Sequence, residues 1–456
     1  MPKKKTALTI EERLQQALVP AEEQPYEVPE NWVWVYGKNI FMPMESRKPD
    51  GEDFYYIDID AIDNKNQVVT EAKKIKTAQA PSRASRKLHT GDTVFSLVRP
   101  YLKNIAYIDV QLSDCIASTG FFVCTPNAAL NDKYLYRLMV SSYVVDGLNK
   151  HMKGDNSPSI RKDDIENYPF PLPPLSEQQR IVERIEELFA KLDEAKERLQ
   201  EVADSFAVRK AAILHKAFTG ELTKQWRREN GVSYESWEEK FVKDICNDIK
   251  VGIVIKPSQY YTDQKNGVAA FRSANVRESY IEDKDWVYIN KNGQDTNKRS
   301  EVHTGDVLIV RSGNPGTACV VTEKYDGFNA IDILIAVPDS KKVTSEFLCA
   351  YTNSPACKTL ISNNKRGMAL AHFNVGGYSQ LPISLPTLPE QHEIVRFIDD
   401  LLARERSAQQ ATEQALASID LMKKSILARA FRGELGTNKA SEASALELLR
   451  QVLAEN

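Results

Sequence analysis

The sequence predicts an α+β chain with a pseudo-two-fold internal repeat: two similar α/β domains with mainly antiparallel sheets, separated by two long antiparallel helices that form a coiled-coil-like rod. Three motifs each occur twice at a nearly constant separation: His89–Asp92 as His303–Asp306, Pro174–Gln178 as Thr387–Gln391, and Ala217–Leu222 as Ala430–Leu435. A matched length accompanies them, because Gln178 and Ala217 are as far apart in the chain as Gln391 and Ala430. Such a chain suits a partner that is itself nearly two-fold, and DNA read as two half-sites is the leading candidate.

The repeat divides the chain into six predicted segments: an N-terminal arm 1–27, a first domain 28–172, a first helix 173–227, a second domain 228–384, a second helix 385–437 and a C-terminal tail 438–456. The arm holds one short helical pattern, Leu8–Val19, which Pro20 closes. Each domain alternates β-rich runs with Gly, Asn and Asp, as small sheet domains do. The predicted strands are Phe54–Ile62, Thr93–Val98, Ile105–Val110, Gly120–Cys124, Asp306–Val310 and Ala318–Thr322, and the predicted helical stretches are Lys133–Leu148 and Thr344–Ser362. Trp237 of the second domain echoes Trp32 of the first.

The first long helix has the stronger pattern of the two. Its apolar positions step alternately by four and three residues, which is the a/d seam of a heptad repeat: Ile181, Ile185, Leu188, Leu192, Ala195, Leu199, Val202 and Phe206. Because Pro173 and Pro174 cannot lie inside a helix, Ser176 is predicted as the N-cap, with Gln179 completing a capping box. Gly220 is placed to adopt the left-handed conformation that ends a helix.

The second long helix, predicted from about Pro389 to Arg432, has a weaker seam because Glu405 and Thr412 replace leucines of the first. Equal lengths let the two helices lie side by side in register. This favours an antiparallel rod of about 60–65 Å, at 1.5 Å per residue. The alternative, in which each helix packs on its neighbouring domain, stays open from the sequence.

Composition describes an ordinary globular chain of 456 residues, 42% hydrophobic and 27% charged. No run of 18 apolar residues exists, and no apolar stretch follows the lysines of Met1–Lys5, so we expect neither a membrane span nor a signal peptide. The six cysteines have no C-x-x-C spacing and the six histidines no ligand spacing. We therefore expect reduced thiols of a cytoplasmic protein and no metal site. His89 and His303 occupy matching turns, where we expect hydrogen-bonded turn histidines.

Charge is unevenly distributed, although the net charge is only −3. Between Lys73 and Lys103 eight basic residues accompany one acid, a local balance of +7, whereas residues 176–203 hold eight acids and five bases, a balance of −3. A charge run is ordinarily a solvated face. This one includes the loop-like stretch Ala80–Arg86, which suits contact with a phosphate backbone better than a helix face does.

On these residues the chain resembles the specificity (S) subunit of type I restriction–modification systems. The resemblance rests on a Pro-Pro-Leu-x-Glu-Gln motif at Pro173–Gln178, degraded in Leu385–Gln391, then a long helix and an Ala-Phe-x-Gly-Glu-Leu motif, all present twice. The repeated Gly-Asp turns before a β run fit as well. The resemblance covers about residues 28–435. The second copy departs from it where Thr387 replaces a proline and Glu405 makes the helix seam polar.

The resemblance implies a non-catalytic DNA-recognition subunit. Each domain would be a target recognition domain that reads one part of a bipartite sequence in double-stranded DNA. The two helices would set the distance between the parts and dock two methyltransferase (M) subunits, and motor–nuclease (R) subunits would join through the complex. No membrane and no cofactor of this chain are implied. S-adenosylmethionine would belong to the M subunits, and ATP and magnesium to the R subunits.

Two other function classes stay open from the sequence: a free-standing DNA-acting nuclease and a coiled-coil protein scaffold. An amino-methyltransferase needs an Asp/Asn-Pro-Pro-Tyr/Phe loop, but the one Pro-Pro pair, Pro173–Pro174, lies between leucines, and no G-x-G-x-x-G or Walker loop exists. Pro49–Asp50 and Glu71–Lys73 imitate the spacing of a metal-dependent nuclease site without the apolar strand that would carry Glu71. The loop arginines argue against a scaffold that does not touch DNA.

Candidate DNA contacts are loop residues of the types that reach base edges and phosphates. They are Arg83, Arg86, Lys87, Arg99, Tyr101, Lys103, Lys153, Asn156, Ser157 and Arg161 in the first domain, and Arg272, Ser273, Asn275, Arg277, Arg299, Arg311, Ser312, Asn314, Lys365 and Arg366 in the second. Arg99 and Arg311 end corresponding strands if a two-residue slip is allowed. Since the basic stretch 73–103 has no equally basic counterpart near 287–315, we expect the halves to read different half-sites.

Overall fold

A computed structural model describes residues 8–364 and 373–455. Within them the α-helices are α1 (Ile10–Ala17), α2 (Asp132–Met139), α3 (Ser142–Asn149), α4 (Lys162–Glu166), α5 (Leu175–Phe218), α6 (Lys224–Asn230), α7 (Val242–Ile245), α8 (Lys291–Thr296), α9 (Ser345–Thr352), α10 (Pro355–Asn364), α11 (Val375–Ser379), α12 (Leu388–Ala430) and α13 (Ala445–Glu455). No helix in this part of the chain is long and apolar enough to cross a membrane.

The strands of the described residues are β1 (Val33–Tyr36), β2 (Asp53–Ile57), β3 (Ile62–Asp63), β4 (Val68–Val69), β5 (Lys73–Lys76), β6 (Ala84–Lys87), β7 (Thr93–Ser96), β8 (Ile105–Tyr107), β9 (Ile116–Ser118), β10 (Phe121–Cys124), β11 (Pro169–Leu172), β12 (Glu238–Phe241), β13 (Cys246–Val251), β14 (Tyr261–Thr262), β15 (Gly267–Phe271), β16 (Val276–Arg277), β17 (Tyr280–Ile281), β18 (Val287–Asn290), β19 (Val307–Val310), β20 (Ala318–Val320), β21 (Asn329–Ala330), β22 (Ile333–Pro338) and β23 (Pro382–Leu385). The chain forms two compact units: unit 1 is Met1–Leu199 with Ala415–Asn456, and unit 2 is Gln200–Gln414. Both long helices therefore contribute to both units.

Unit 1 is built on small, mainly antiparallel sheets, as predicted. β1 pairs with β11, and β7 lies between β10 and β8. A four-stranded sheet has the order β5-β2-β9-β6, in which β2 and β9 run parallel and the other pairs antiparallel. β3 and β4 form a further antiparallel pair.

Unit 2 repeats most of this topology. β12 pairs with β23, the order β22-β19-β20 matches β10-β7-β8, and β18-β15-β21 matches β5-β2-β9, again with one parallel pair, β15 and β21. Unit 2 adds β13 beside β22 and β14 beside β18. The internal repeat predicted from short motifs is therefore a duplication of a whole fold.

Each unit buries the start of one long helix against the end of the other. In unit 1 the core contains Ile181 near the start of α5 and Phe431 directly after α12, both almost fully buried. In unit 2 it contains Ile394 near the start of α12 and Ala217 near the end of α5, both fully buried. The helices therefore run antiparallel within each unit, and their ends also pack on the domains. Both packing modes considered from the sequence occur together.

Ion pairs follow the antiparallel arrangement in unit 1. Lys423 of α12 lies 2.5 Å from Asp193 of α5. Asp420, three residues earlier on α12, lies 3.9 Å from Lys196, three residues later on α5. Residue numbers fall along one helix as they rise along the other, which is the antiparallel register predicted from the equal helix lengths.

The polar positions of the α12 seam are satisfied within unit 2. Glu405 accepts a hydrogen bond from Nε of Arg209 at 2.9 Å, and the Arg209 guanidinium lies 4.4 Å from the centroid of the Phe206 ring. Thr412 is buried and its hydroxyl donates to the carbonyl of Ala408 at 2.8 Å. The seam prediction is wrong at Val202, which is 41% exposed.

The predicted N-cap of the first long helix is wrong. α5 begins at Leu175, one residue before Ser176, because the Pro174 carbonyl accepts two of the first N–H groups of the helix, at 2.9 and 3.0 Å. The Ser176 hydroxyl donates instead to Glu442 at 3.1 Å. The Gln179 side chain donates to the next turn of the helix and completes no capping box.

The two ends of the chain fold together in unit 1. α1 begins with a capping box, in which the Thr9 hydroxyl accepts from the N–H of Glu12 at 3.3 Å. Arg13 of α1 donates to the carbonyl of Leu453 in α13 at 3.0 Å. Leu449 of α13 is fully buried in the unit 1 core. The segment predicted as a C-terminal tail thus contains a packed helix.

Candidate DNA interface and the repeated structural motifs

The repeated Glu-Gln pair forms the same buried network in each unit. In unit 1 the fully buried Glu177 accepts from Nε1 of Trp32 at 2.8 Å. The Gln178 amide donates to the carbonyls of Ala129 and Pro173, both at 2.9 Å, and its oxygen accepts from the N–H of Asn131 at 2.7 Å. The side chains therefore tie the helix start to the domain that precedes it.

Unit 2 reproduces these bonds with the equivalent residues. Glu390 accepts from Nε1 of Trp237 at 3.0 Å, which confirms that Trp237 echoes Trp32. The Gln391 amide donates to the carbonyls of Lys342 at 2.8 Å and Pro386 at 2.9 Å, and its oxygen accepts from the N–H of Thr344 at 2.9 Å. Replacement of a proline by Thr387 leaves the network intact.

Each buried glutamate also binds the segment that follows the other long helix. Glu390 pairs with Arg227 at 2.5 Å and accepts from the Thr223 hydroxyl at 2.6 Å. Glu177 instead accepts from the Asn438 amide at 2.9 Å. The buried glutamate of unit 2 therefore forms an ion pair, whereas the equivalent glutamate of unit 1 accepts a hydrogen bond from a neutral amide. Sequence reasoning missed Arg227, because one arginine in a polar helix carries no distinguishing pattern.

Glycines end the two long helices, as predicted for Gly220. Gly220 has φ +73° and Gly433 φ +75°, the left-handed region that other residues avoid. A Cβ atom on Gly220 would lie 2.5 Å from the Tyr234 ring, and one on Gly433 2.4 Å from Pro29. Both the conformation and the space therefore require glycine.

The Gly-Asp motifs form identical turns closed by a buried carboxylate. The backbone N–H of His89 donates to Asp92 at 2.7 Å, and that of His303 donates to Asp306 at 2.9 Å. Burial raises the pKa of both aspartates. In both turns the hydrogen bond to the aspartate comes from the histidine backbone, and the His89 ring also lies 3.5 Å from Asp92.

Two predicted contact loops of the first domain lie side by side in unit 1. The N–H of Arg99 donates to the Pro158 carbonyl at 2.8 Å, and its guanidinium donates to the carbonyl of Asn156 at 2.9 Å. Arg99 and Lys103 both have positive φ, at 49° and 57°, and enclose a short turn that leaves Tyr101 45% exposed. Among these candidates Arg99, Tyr101, Lys153, Asn156 and Arg161 are exposed, and Lys103 is half-buried.

A third segment reaches the same end of the unit 1 sheets. The N–H of Thr119 donates to the Arg83 carbonyl at 2.8 Å, and the next carbonyl, of Gly120, accepts from Leu97 at 2.8 Å. The Arg83 segment and the Leu97–Arg99 segment therefore flank one turn. The Arg83 side chain is exposed, whereas Arg86 is partly buried on β6.

The basic stretch 73–103 is partly neutralised by acids from outside it. Its first two lysines pair with Asp60 at 2.6 Å and Asp53 at 2.9 Å. Lys87 pairs with Glu45 at 2.6 Å. The positive charge is therefore concentrated on the exposed arginine and lysine loops and is weaker along β5 and β6.

The corresponding loops of the second domain lie together in unit 2. Arg311 directly follows β19, pairs with Asp332 at 2.5 Å and donates to the Phe373 carbonyl at 3.0 Å. The neighbouring N–H of Ile331 donates to the Phe271 carbonyl at 2.8 Å, which brings Arg272 and Ser273 to the same place. Ser312 is half-buried and Asn314 exposed in the loop after Arg311. Lys365 and Arg366 lie outside the described residues.

The structure gives Asn275 a structural role in place of the predicted DNA contact. Its side chain is fully buried. The Asn275 amide donates to the carbonyls of Lys284 at 2.8 Å and Glu282 at 3.2 Å, and its oxygen accepts from the Arg272 N–H at 3.0 Å. Arg277 is half-buried and donates to the carbonyl of Ser273 at 3.3 Å.

Arg299 lies beside the β13 strand of unit 2. It is exposed and pairs with Asp248 of β13 at 3.3 Å.

All six cysteines are free thiols, five of them buried. Between residues 8 and 364 and between 373 and 455, no group of His, Cys, Asp or Glu is arranged to hold a metal ion. Asp50 of the nuclease-like pattern pairs with Arg47 at 3.3 Å.

Comparison with known proteins identifies the family. The family described as "Type I restriction modification DNA specificity domain" matches residues 38–204 and 234–416, more than half of the chain. The chain is 29% identical to the type I restriction enzyme EcoBI specificity subunit of Escherichia coli, over 63% of this chain and 64% of that subunit, less than two thirds of it. It is 28% identical to the EcoDI specificity subunit of Escherichia coli, over 72% of this chain and 77% of that subunit.

Solved structures agree over most of the chain. The HsdS subunit from Thermoanaerobacter tengcongensis matches with a TM-score of 0.68 and 26% identity, covering 90% of this chain and 99% of that one. A chain from a structural study of complex assembly and conformational transition of the type I R-M system matches with a TM-score of 0.70 and 26% identity, covering 90% and 100%. The chain therefore belongs to the family of type I restriction–modification DNA specificity subunits.

Proposed function

We propose that this chain reads a bipartite sequence in double-stranded DNA, with one target recognition domain in residues 28–172 and the other in 228–384. The observation that carries the proposal is the duplicated fold with divergent loops. Most strands, the Gly-Asp turns and the starts of the long helices occur in both units, while the exposed polar loops after β7 and β19 differ in sequence. A common frame with different loops suits two readers of different half-sites.

The proposed DNA contacts are the loop residues that lie together at one place in each unit. In unit 1 they are Arg83, Arg99, Tyr101, Lys103, Lys153, Asn156, Ser157 and Arg161, with Arg86 and Lys87 beside them on β6. In unit 2 they are Arg272, Ser273, Arg277, Arg311, Ser312 and Asn314. Lys365 and Arg366 are included on the basis of the sequence prediction. Selection of bound sequences from a random DNA pool, with this chain and its methyltransferase partner, tests the proposal. Bound sequences with no fixed bases, or with one block only, would refute it.

We also propose that two M subunits dock on the long helices. Val208 of α5 is 69% exposed, and Leu421, its equivalent on α12, is 64% exposed. The two residues are related by the same offset that relates Ala217 to Ala430. Large apolar side chains at equivalent exposed positions, one in each unit, favour two equivalent protein contacts. In such a cytoplasmic complex, S-adenosylmethionine would come with the M subunits, and ATP and magnesium with R subunits.

Charged substitutions test this docking. Val208→Glu and Leu421→Glu are each expected to remove one M subunit from the purified complex, and the double variant to remove both, because a charge cannot be buried unpaired in an interface. Native mass spectrometry measures the stoichiometry. Gln410→Glu, an exposed polar position on α12, is the matched control. Retention of two M subunits by the double variant would contradict the proposal.

A further inference from the structure

A loop of unit 2 carries two exposed apolar side chains next to the proposed DNA contacts. Val254 is 48% exposed and Ile255 is 80% exposed. Both lie in the loop Val254–Lys256, which follows β13 and ends in an exposed lysine. Scattered apolar side chains are normal on a protein surface, so the meaning of these two depends on where the loop lies.

Backbone hydrogen bonds place the start of this loop beside Arg311. The N–H of Ile253 donates to the Ala330 carbonyl at 2.8 Å, and the Ile253 carbonyl accepts from the N–H of Asp332 at 3.1 Å. The Asp332 carboxylate pairs with the Arg311 guanidinium at 2.5 Å. Because two residues of chain span at most about 7 Å, the Cα atom of Ile255 lies within that distance of the Cα atom of Ile253. The apolar side chain is therefore part of the surface where the proposed DNA contacts of unit 2 gather.

The loop is held at both ends and presents Ile255 in a defined position. A Cβ atom on Gly252, which precedes the loop, would lie 2.2 Å from a backbone oxygen, so this close approach requires glycine. Lys256 has φ +43°, and Pro257 begins a 3-10 turn in which the N–H of Gln259 donates to the Lys256 carbonyl at 3.1 Å. Proline also restricts the backbone of the residue before it. A partner that covers Ile255 therefore has little loop entropy to remove.

Unit 1 uses the equivalent segment differently. Phe41 is paired with Pro126 just after β10, as Cys246 is paired with Pro338 at the end of β22. The segments that follow Phe41 and Cys246 are therefore equivalent. In unit 1 the segment passes along β6, where the N–H of Arg47 donates to a β6 carbonyl at 2.9 Å. In unit 2 it forms β13 and then the apolar loop, so this loop distinguishes the surface of unit 2 from that of unit 1.

We propose that Ile255 is a specificity-determining residue of unit 2 and contacts the 5-methyl group of a thymine in the major groove. This inference rests on the proposed DNA recognition and deepens it. The thymine methyl is the apolar group that base pairs present in the major groove, and apolar side chains read it by contact. Lys256, exposed beside Ile255, suits the phosphate backbone that flanks such a base. A basic loop with an apolar side chain fits DNA better than an apolar protein surface.

Val110 of unit 1 offers a matched control. It is 72% exposed, but its charged neighbours in the chain are the exposed Asp109 and Asp114. It also lies beyond the end of β8 that is farther from Lys103. Carboxylates repel phosphates, so we expect no DNA contact at this valine. Val110→Ala thus truncates an exposed apolar side chain outside the proposed interface.

Deoxyuridine, which is thymidine without the methyl group, tests the contact. Sequences selected from a random DNA pool by the full chain with its M subunits define the target, and each thymine is then replaced singly. The wild-type chain is expected to lose affinity about fourfold at one thymine, which corresponds to about 0.8 kcal/mol for one buried methyl group. Ile255→Ala is expected to bind the thymine and deoxyuridine duplexes equally, whereas Val110→Ala keeps the wild-type ratio. The sensitive thymine should lie in the half of the target that changes when residues 228–384 are exchanged for the second domain of another specificity subunit.

Several results would overturn the assignment of Ile255. They are a selected target in which no thymine is sensitive to loss of its methyl group, a sensitive thymine in the other half, and an unchanged ratio in Ile255→Ala. Weaker binding of an M subunit by Ile255→Ala, with the ratio unchanged, would place the side chain in a protein interface instead. A selected pool without fixed bases would refute the proposed DNA recognition itself, so the two failures are distinguishable.

Discussion

Removal of Arg227 is expected to destabilise unit 2 far more than removal of an exposed arginine in the same unit. Arg227 is 7% exposed and its partner Glu390 is fully buried. The guanidinium also donates to the Gly220 carbonyl at 2.6 Å and lies 5.1 Å from the Tyr234 ring centroid. Arg227→Ala removes all of these contacts and leaves the Glu390 carboxylate with two neutral donors, Trp237 and Thr223.

The expected magnitude follows from the burial of the pair. Breaking a buried ion pair by removing one partner costs about 3–5 kcal/mol, because the other charge stays desolvated. Arg209→Ala is the control: it also removes a glutamate partner, Glu405, and a stacked aromatic contact. The side chains of Arg209 and Glu405 are, however, 38% and 26% exposed. An exposed ion pair of this kind contributes about 0–1 kcal/mol to stability.

Hydrogen exchange measures the effect where it arises. Global unfolding of a chain with two units is not a two-state process, so exchange rates of core amides in β19 and β22 are the better measure. Arg227→Ala is expected to accelerate their exchange by about 10² to 10⁴-fold, since each factor of ten corresponds to about 1.4 kcal/mol. Adding Glu390→Gln should recover part of the loss, because it removes the stranded charge. Equal effects of Arg227→Ala and Arg209→Ala would refute the reasoning.

The long helices could be predicted well from the sequence because their periodic pattern extends over many helical turns. The ends of the helices were harder to predict, because side-chain caps and prolines can start a new helix where the apolar pattern continues. The single helical stretch predicted at 133–148 is two helices, since the Ser141 side chain accepts from Val144 and starts α3. The stretch predicted at 344–362 is likewise divided, and α10 begins at Pro355. α13 was missed, although Ala445, Leu449 and Val452 have helical spacing.

The site could be predicted by residue type but not by environment. Loop position and chemistry made Asn275 and Asn156 equivalent candidates, yet Asn275 is fully buried and Asn156 is exposed. Lys87 counted toward the basic stretch, but its partner Glu45 is 42 residues away in the chain. Such pairings depend on which strands become neighbours, and short strands do not specify their sheet order in sequence.

The repeated and the divergent residues have different roles in this fold. Glu177 and Glu390, the Gly-Asp turns and the helix-ending glycines repeat because each meets the same buried neighbours in both units. The similarity of these residues in the two units therefore reflects their shared role in the fold and gives little information about DNA binding. Divergence in the loops after β7 and β19 changes an exposed surface instead.

Two further predictions concern acid and half-site identity. Burial raises the pKa of Glu278, but its bonds to Lys210 and Lys358 outweigh this and the pKa is lowered from its ordinary value of 4.5. The contribution of Glu278 to stability is thus complete above that pH and is lost on acidification. Protection factors of the amides in β16 and β17, which correct exchange rates for their intrinsic pH dependence, should fall with falling pH, and Glu278→Gln should flatten that fall. Exchange of residues 28–172 for the first domain of another specificity subunit should change one half of the selected DNA target. Each domain bonds to a long helix within its own unit, Trp32 to Glu177 in unit 1 and Trp237 to Glu390 in unit 2. The second half of the target should therefore keep its sequence. A change in both halves would show that the two domains do not read DNA independently.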